Sequence, residues 1–199
     1  MTYAMYVPAD DSRKSAAALS KAKAGSAAAL GKAKAGTELH SYFVQDGRID
    51  LLNDAINLLR EAAQDTSADS GDHATCANNL GIALHDRFER TGADTDLDEA
   101  IRWLRESVAA LPRDHPDLTR HLSNLATSVE TRAARSGAEA DVHGAIELWR
   151  EASDVTTGPP HLRLAAARAC ATLAANTATP AAGLDGFTLA VTLLPLAAW

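Results

Sequence analysis

The feature that most limits what this chain can become is a spacing. Leu52, Leu97, Val142 and Phe187 stand 45 residues apart, and so do Ala55, Ala100, Ala145 and Ala190; Ile56, Ile101, Ile146 and Val191; and Leu59, Leu104, Trp149 and Leu194. Within the copy that begins D-L-D-E-A-I-R-W-L-R at Asp96, the apolar residues Leu97, Ala100, Ile101, Leu104 and Val108 fall at i, i+3, i+4, i+7 and i+11, one stripe of an amphipathic helix. Asp96, with Glu99 three residues on, reads as a capping box opening that helix. Four copies in unbroken register mean one structural unit repeated.

A second helix keeps the same register. Ala77, Leu80 and Leu84 correspond to Leu122, Leu125 and Val129, Asn79 to Asn124, and Gly47, Gly92 and Gly137 stand 45 apart as stop signals. Each unit is therefore a helical hairpin, and a period of this size predicts an all-α fold, an α-solenoid of about four helix-turn-helix repeats in which no unit buries its apolar face without its neighbours. The expected units are approximately 29–66, 73–111, 118–156 and 161–199, together forming an array over 37–199. The breakers between them are S-A-D-S-G-D (67–72), L-P-R-D-H-P-D-L with Pro112 and Pro116, G-P-P (158–160) and the loop 177–186.

Residues 1–36 have a different character. After a lead-in containing Pro8, an 11-residue sequence repeats in tandem, S-A-A-A-L-S-K-A-K-A-G and S-A-A-A-L-G-K-A-K-A-G. Alanine favours helix here, while Gly25, Gly31 and Gly36 each cost about 1 kcal/mol relative to alanine. This segment holds six basic and two acidic residues, net +4, and all five lysines of the chain. The remaining 13 basic and 24 acidic residues give −11, for −7 overall. A basic arm can tether to anionic lipid or nucleic acid, whereas the acidic array is a poor partner for phosphates. No secretory leader and no apolar run of roughly 18 residues is present, so the sequence reads as cytoplasmic.

Candidates for chemistry are few. The histidines form no H-E-x-x-H and no Cys/His pair at ligand spacing, and Glu99 stands where a calcium loop based on Asp94, Asp96 and Asp98 needs glycine. No metal site, catalytic residue or cofactor is expected, and the chain reads as non-enzymatic. Cys170 shares the register of Leu80 and Leu125 and reads as core, while Cys76 aligns with His121 and is expected to be partly exposed. Asn79 and Asn124 stack in register, where each offers a donor and an acceptor to a bound peptide, or else bonds to the neighbouring helix. Arg87 and Arg132 follow in the same register and can hold a carboxylate bidentately, the plain alternative being a surface ion pair with Asp86 or Glu130. A different class of function places a small-molecule or catalytic groove around Trp103, Trp149 and Trp199. The chain closes on L-L-P-L-A-A-W without a polar cap, so Leu193, Leu194, Leu196 and Trp199 are expected to dock onto further chain or a partner, including a second copy.

The segments A-N-N-L-G-I-A-L (77–84), R-F-E-R-T-G-A-D-T-D-L-D-E-A-I (87–101), D-H-P-D-L (114–118) and L-L-P-L-A-A-W (193–199) resemble the tetratricopeptide repeats of actinobacterial proteins carrying a caspase-like CHAT protease domain. The resemblance extends over about residues 37–199 and is strongest in the second and third units. It implies a tetratricopeptide-like (TPR-like) solenoid serving as a protein- or peptide-binding scaffold, the sensing or regulatory portion of a larger protein. Related repeats with an A-N-N-L helix, such as those of kinesin light chains, hold a peptide backbone through the Asn. That role carries over to Asn79 and Asn124; in the fourth unit Ala169 stands at the position.

Overall fold

The computed structural model describes the backbone of residues 9–177 and 180–197, and the side chains of residues 25, 27–177 and 184–196. Its helices are α1 (Ala9–Asp46), α2 (Ile49–Gln64), α3 (Gly71–Thr91), α4 (Asp94–Ala109), α5 (Leu118–Ser136), α6 (Glu139–Asp154), α7 (Pro160–Ala175) and α8 (Pro180–Ala197), with no strand among the described residues. They pair in sequence as four hairpins, α1 with α2 through α7 with α8. Helix α1 runs unbroken through both 11-residue repeats into the first unit, crossing residue 36 without a bend or turn.

The first three hairpins turn on one device. Gly47, Gly92 and Gly137 adopt φ of 69°, 71° and 70°, the left-handed conformation open to a residue without a Cβ. Their N–H groups donate to Phe43, Phe88 and Ala133 carbonyls at 2.7, 2.7 and 2.8 Å. One extended residue follows, Arg48, Ala93 or Ala138, and the second helix begins with no side-chain cap. This corrects the capping box expected at Asp96 and Glu99. Helix α4 starts three residues earlier, at Asp94 with Ala93 in the cap position, because the left-handed glycine has already turned the chain, and the Asp96 carboxylate is drawn instead onto Arg87.

Within a hairpin the two helices approach closely. A Cβ on Gly81 would lie 2.5 Å from Leu104 Cγ, and one on Gly36, in the same register, 2.8 Å from Leu59 Cγ. Between hairpins, each second helix receives the first helix of the next. Leu52, Ile56 and Leu59 pack with Cys76, Leu80 and Leu84; Leu97, Ile101 and Leu104 with Leu125 and Val129; Ile146 with Cys170 and Ala174. The core is thus a string of apolar clusters along a seam, as an α-solenoid requires. Cys76 is fully buried in it, correcting its expected exposure, and burial pushes its thiol up to about 11. Such a thiol stays protonated and unreactive at neutral pH. At one seam position a polar pair replaces an apolar one: Ala62 and Cys76 belong to one apolar cluster, whereas at the positions 45 residues later Ser107 Oγ lies 2.6 Å from His121 Nδ1.

The two rows differ in tightness. Among the described residues each first helix touches the next first helix, from α1 through α7, while of the second helices only α6 and α8 make such contact. The row α1, α3, α5, α7 therefore forms the inner side of the array.

Candidate functional site

The inner side carries a ladder of polar contacts between successive first helices. Asn124 donates to Asn78 Oδ1 at 2.9 Å, and Asn79 donates to Thr37 Oγ1 at 3.3 Å, so each asparagine reaches back one unit. Asn78 links the two, with its amide nitrogen 3.4 Å from Asn79 Oδ1. One turn further along, His40 Nε2 lies 2.6 Å from Asp86 Oδ2, and His85 Nδ1 lies 3.0 Å from Ser128 Oγ. These bonds fix the inner side chains before any ligand arrives, which limits the ordering cost of binding.

A pocket of about 290 Å³ opens between α3 and α5, lined by Ile82, His85, Asp86, Asn124, Thr127 and Ser128, with Leu104 of α4 as its floor. Between α5 and α7 a second pocket of about 380 Å³ includes Glu130, Ala169, Thr172 and Leu173, which stand 45 residues after His85, Asn124, Thr127 and Ser128. The site thus repeats with the fold. Of its lining, Asn124 is the residue expected from the sequence to bind. Thr127 and Ser128 follow Asn124 on α5 at spacings of three and four, and Ile82 and Asp86 follow Asn79 on α3 at three and seven; that spacing is the signal that could have found them.

Arg87 and Arg132 lie elsewhere, and their expected role is corrected. Arg87 donates through Nε to Asp96 Oδ2 at 2.8 Å and through Nη1 to Asn53 Oδ1 at 3.1 Å. Arg132 repeats the pattern, with Nε 2.8 Å and Nη2 2.7 Å from the Asp141 carboxylate and Nη1 3.3 Å from Asp98. Both guanidiniums do hold a carboxylate bidentately, but one nine residues on in their own hairpin, and neither pairs with Asp86 or Glu130. The Arg132 hydrogen bond holds the Asp141 carboxyl below the usual carboxylate range. Their third contact, to the preceding second helix, ties adjacent units together. Arg90 and Arg135 add to this by donating to the carbonyls of Gly47 and Gly92, each at 3.3 Å.

The other expected sites divide. Leu193 is corrected from docking residue to core, buried with Ala167 and Ala190 where α8 meets α7. Leu194 and Leu196 are exposed, and Trp199 lies outside the described residues. Trp103 is buried in the seam, donates to Glu99 Oε1 at 3.2 Å and carries the Arg102 guanidinium 4.4 Å over its ring. Trp149 donates to Glu130 Oε2 at 2.9 Å. Neither lines the two inner pockets, so the tryptophan-lined groove is corrected to tryptophans that join helices. In the basic segment, Lys32 is held 2.9 Å from both Glu61 and Asp65 of α2. Lys14, Lys21 and Lys23 have side chains outside the described set. Among the described residues no group of three or more His, Cys, Asp or Glu is placed to hold a metal ion, and no helix is long and apolar enough to cross a membrane.

Repeated hairpins in which each second helix receives the next first helix, turned on a left-handed glycine, define a helical repeat type. Residues 73–117 match the tetratricopeptide repeat family model. The match covers one full 45-residue period, from the first turn of α3 to the residue before α5. Among solved structures, the kinesin light chain nearly identical TPR-like repeats of Podosopora anserina superpose with a TM-score of 0.58 at 17% identity, covering 82% of this chain and 74% of that one. A de novo designed helical repeat protein superposes with a TM-score of 0.51 at 16% identity, covering 88% and 94%. At these identities the likeness is one of fold, a TPR-like solenoid of helical repeats. No curated protein matches the chain.

Proposed function

We propose that this TPR-like array is a non-enzymatic protein-interaction module, working in the cytoplasm, that seats an extended peptide segment along its inner side. The observation that carries the reading is the in-register recurrence of the inner pocket, His85–Asn124–Thr127–Ser128 in one unit and Glu130–Ala169–Thr172–Leu173 in the next. A pocket of about 290 Å³ with Ile82 and Leu104 in its lining fits one apolar side chain of a segment. Asn124, His85 and Ser128 at its edge supply the polar partners a peptide backbone needs. Asn79 extends the same ladder one unit back. Arg87 and Arg132 serve by locking units together and so holding the pockets at a fixed spacing.

The resemblance to CHAT-type repeat proteins extends this reading: a segment seated in the pockets is the sensed signal, and the stiffened array transmits it to whatever domain the repeats regulate. The test is a displayed library of random peptides selected on the full chain, followed by titration of the selected peptides. Thr127→Arg, which fills the pocket mouth from an exposed position, is expected to weaken them at least tenfold. Asn79→Ala with Asn124→Ala is expected to weaken them while the helical signal is kept. Peptides that bind both variants as tightly as the parent chain contradict the inner-side assignment.

A further inference from the structure

Three second helices are covered by the first helix that follows them, and α8 holds the corresponding place in the fourth unit. At the middle seam position Ile56, Ile101 and Ile146 are 0%, 1% and 6% exposed, whereas Val191, in the same register, is 65% exposed. Phe187 and Leu194 stand open beside it at 50% and 53%, in the register where Leu52, Leu97, Leu59 and Leu104 are buried. Leu184 lengthens the stripe by one turn, so that Leu184, Phe187, Val191 and Leu194 follow a 3-4-3 spacing, the seam by which two helices interlock.

The rim of this stripe differs from that of the other second helices. Where α4 and α6 carry Asp94 and Glu139, α8 has Leu184; where they carry Arg102 and Glu147 it has Thr192; where they carry Glu106 and Glu151 it has Leu196. Pro195 stands at the position of Arg105 and Arg150, leaving Asp185 as the single charged residue of the helix. The charges that keep a helix wet are gone from the edge as well as from the seam, so α8 has the composition of a buried helix on an open surface.

We propose that the occupant of this surface is α8 of a second copy, the two helices packed antiparallel about a two-fold axis. The seam that joins units within the chain then continues across the dimer. In this pairing Leu184 of one copy meets Leu194 of the other and Phe187 meets Val191, each apolar residue finding an apolar one, as an isologous contact requires. A helix with one charge brings no repulsion to its own copy. Head-to-tail stacking on α1 is the poorer match. The open face of α1 presents Glu38 where Ala83, Ser128 and Leu173 stand in later units, together with exposed Tyr42, and would bury a carboxylate against the apolar stripe.

The test is light scattering of the full chain through a dilution series, with circular dichroism as the check on folding. The expected mass is twice that of the 20.9 kDa chain, falling to one chain in Val191→Glu and unchanged in Tyr42→Glu. Val191 is largely solvent-exposed, so its replacement leaves the internal seam intact; Leu194→Lys is the second variant should the first lose its helical signal. A wild-type chain that is monomeric throughout, a dimer that survives both α8 variants, a ladder of longer assemblies, or dissociation by Tyr42→Glu overturns the proposal. So does a wild-type chain that stays monomeric yet binds phosphatidylcholine vesicles through Val191.

Discussion

At the scale of single side chains, the stacking seam contains one pair that titrates within reach of mild acid. His121 is buried 2.6 Å from Ser107 Oγ, and burial, with the Arg120 charge nearby, pushes its imidazole down to about 4. In the unfolded chain it takes up a proton near its ordinary value of about 6.5. Between those limits the unfolded state binds the extra proton, so stability contributed by neutral His121 is complete above pH 6.5 and is lost as pH falls towards 4, about 3 kcal/mol in all. Replacing the pair by its counterpart one unit earlier, Ser107→Ala with His121→Cys, is expected to flatten that part of the stability–pH curve, as read by urea denaturation at a series of pH values. An unchanged slope would place the titration elsewhere. The apolar seam residues were legible from the sequence because burial imposes a 3.6-residue period. The polar partners were not. Arg87 and Asp96 lie on two helices joined by a turn, where helical spacing relates no two residues; the pair recurs 45 residues on as Arg132 and Asp141, but recurrence by itself does not say that the two touch, so Asp96 reads as a cap until its position is seen. Asn79 and Asn124 were legible as a matched pair, whereas Asn78, which accepts from Asn124, stands in the register of Ser123, and Thr37, which accepts from Asn79, shares the register of Thr127 and Thr172 with nothing in the spacing to say that it meets an asparagine.

At the scale of the helix, two glycines of similar sequence context separate. Gly31 lies inside α1 with open space where a Cβ would go, while a Cβ at Gly81 would strike Leu104 at 2.5 Å. Gly31→Ala is therefore expected to stabilise the protein by about 1 kcal/mol through helix propensity. Gly81→Ala is expected to destabilise it by about 1 to 3 kcal/mol, because α3 must move off α4. Chemical denaturation of the two variants checks both signs, and equal shifts would mean that α3 and α4 do not approach as described. The sequence marks all such glycines alike, as helix breakers; only the crossing of two helices tells a tolerated glycine from a required one. The left-handed glycines at 47, 92 and 137 were legible for a different reason, since they recur with the period and sit at its turns. Helix α8 was legible as apolar, but which of its residues face inward was not: Leu193 turns onto α7, and the open stripe runs through Phe187 and Val191 instead.

At the scale of the whole molecule, one register sets both the packing of the units and the spacing of the proposed binding pockets. The seam of Leu, Ile and Ala joins the units, the arginine bridges hold their spacing, and the inner pockets inherit that spacing. The period was visible in the sequence, so the solenoid was too. Which row of helices forms the inner side depends on how tightly neighbours pack, which no single repeat encodes. The most direct test is an amide NMR titration of the full chain with a selected peptide. The account predicts shifts confined to the inner row and recurring in register, at Ile82, Thr127 and Thr172 together with Asn124. Shifts centred on the outward faces of α2, α4 and α6, or on Arg87 and Arg132, would contradict it.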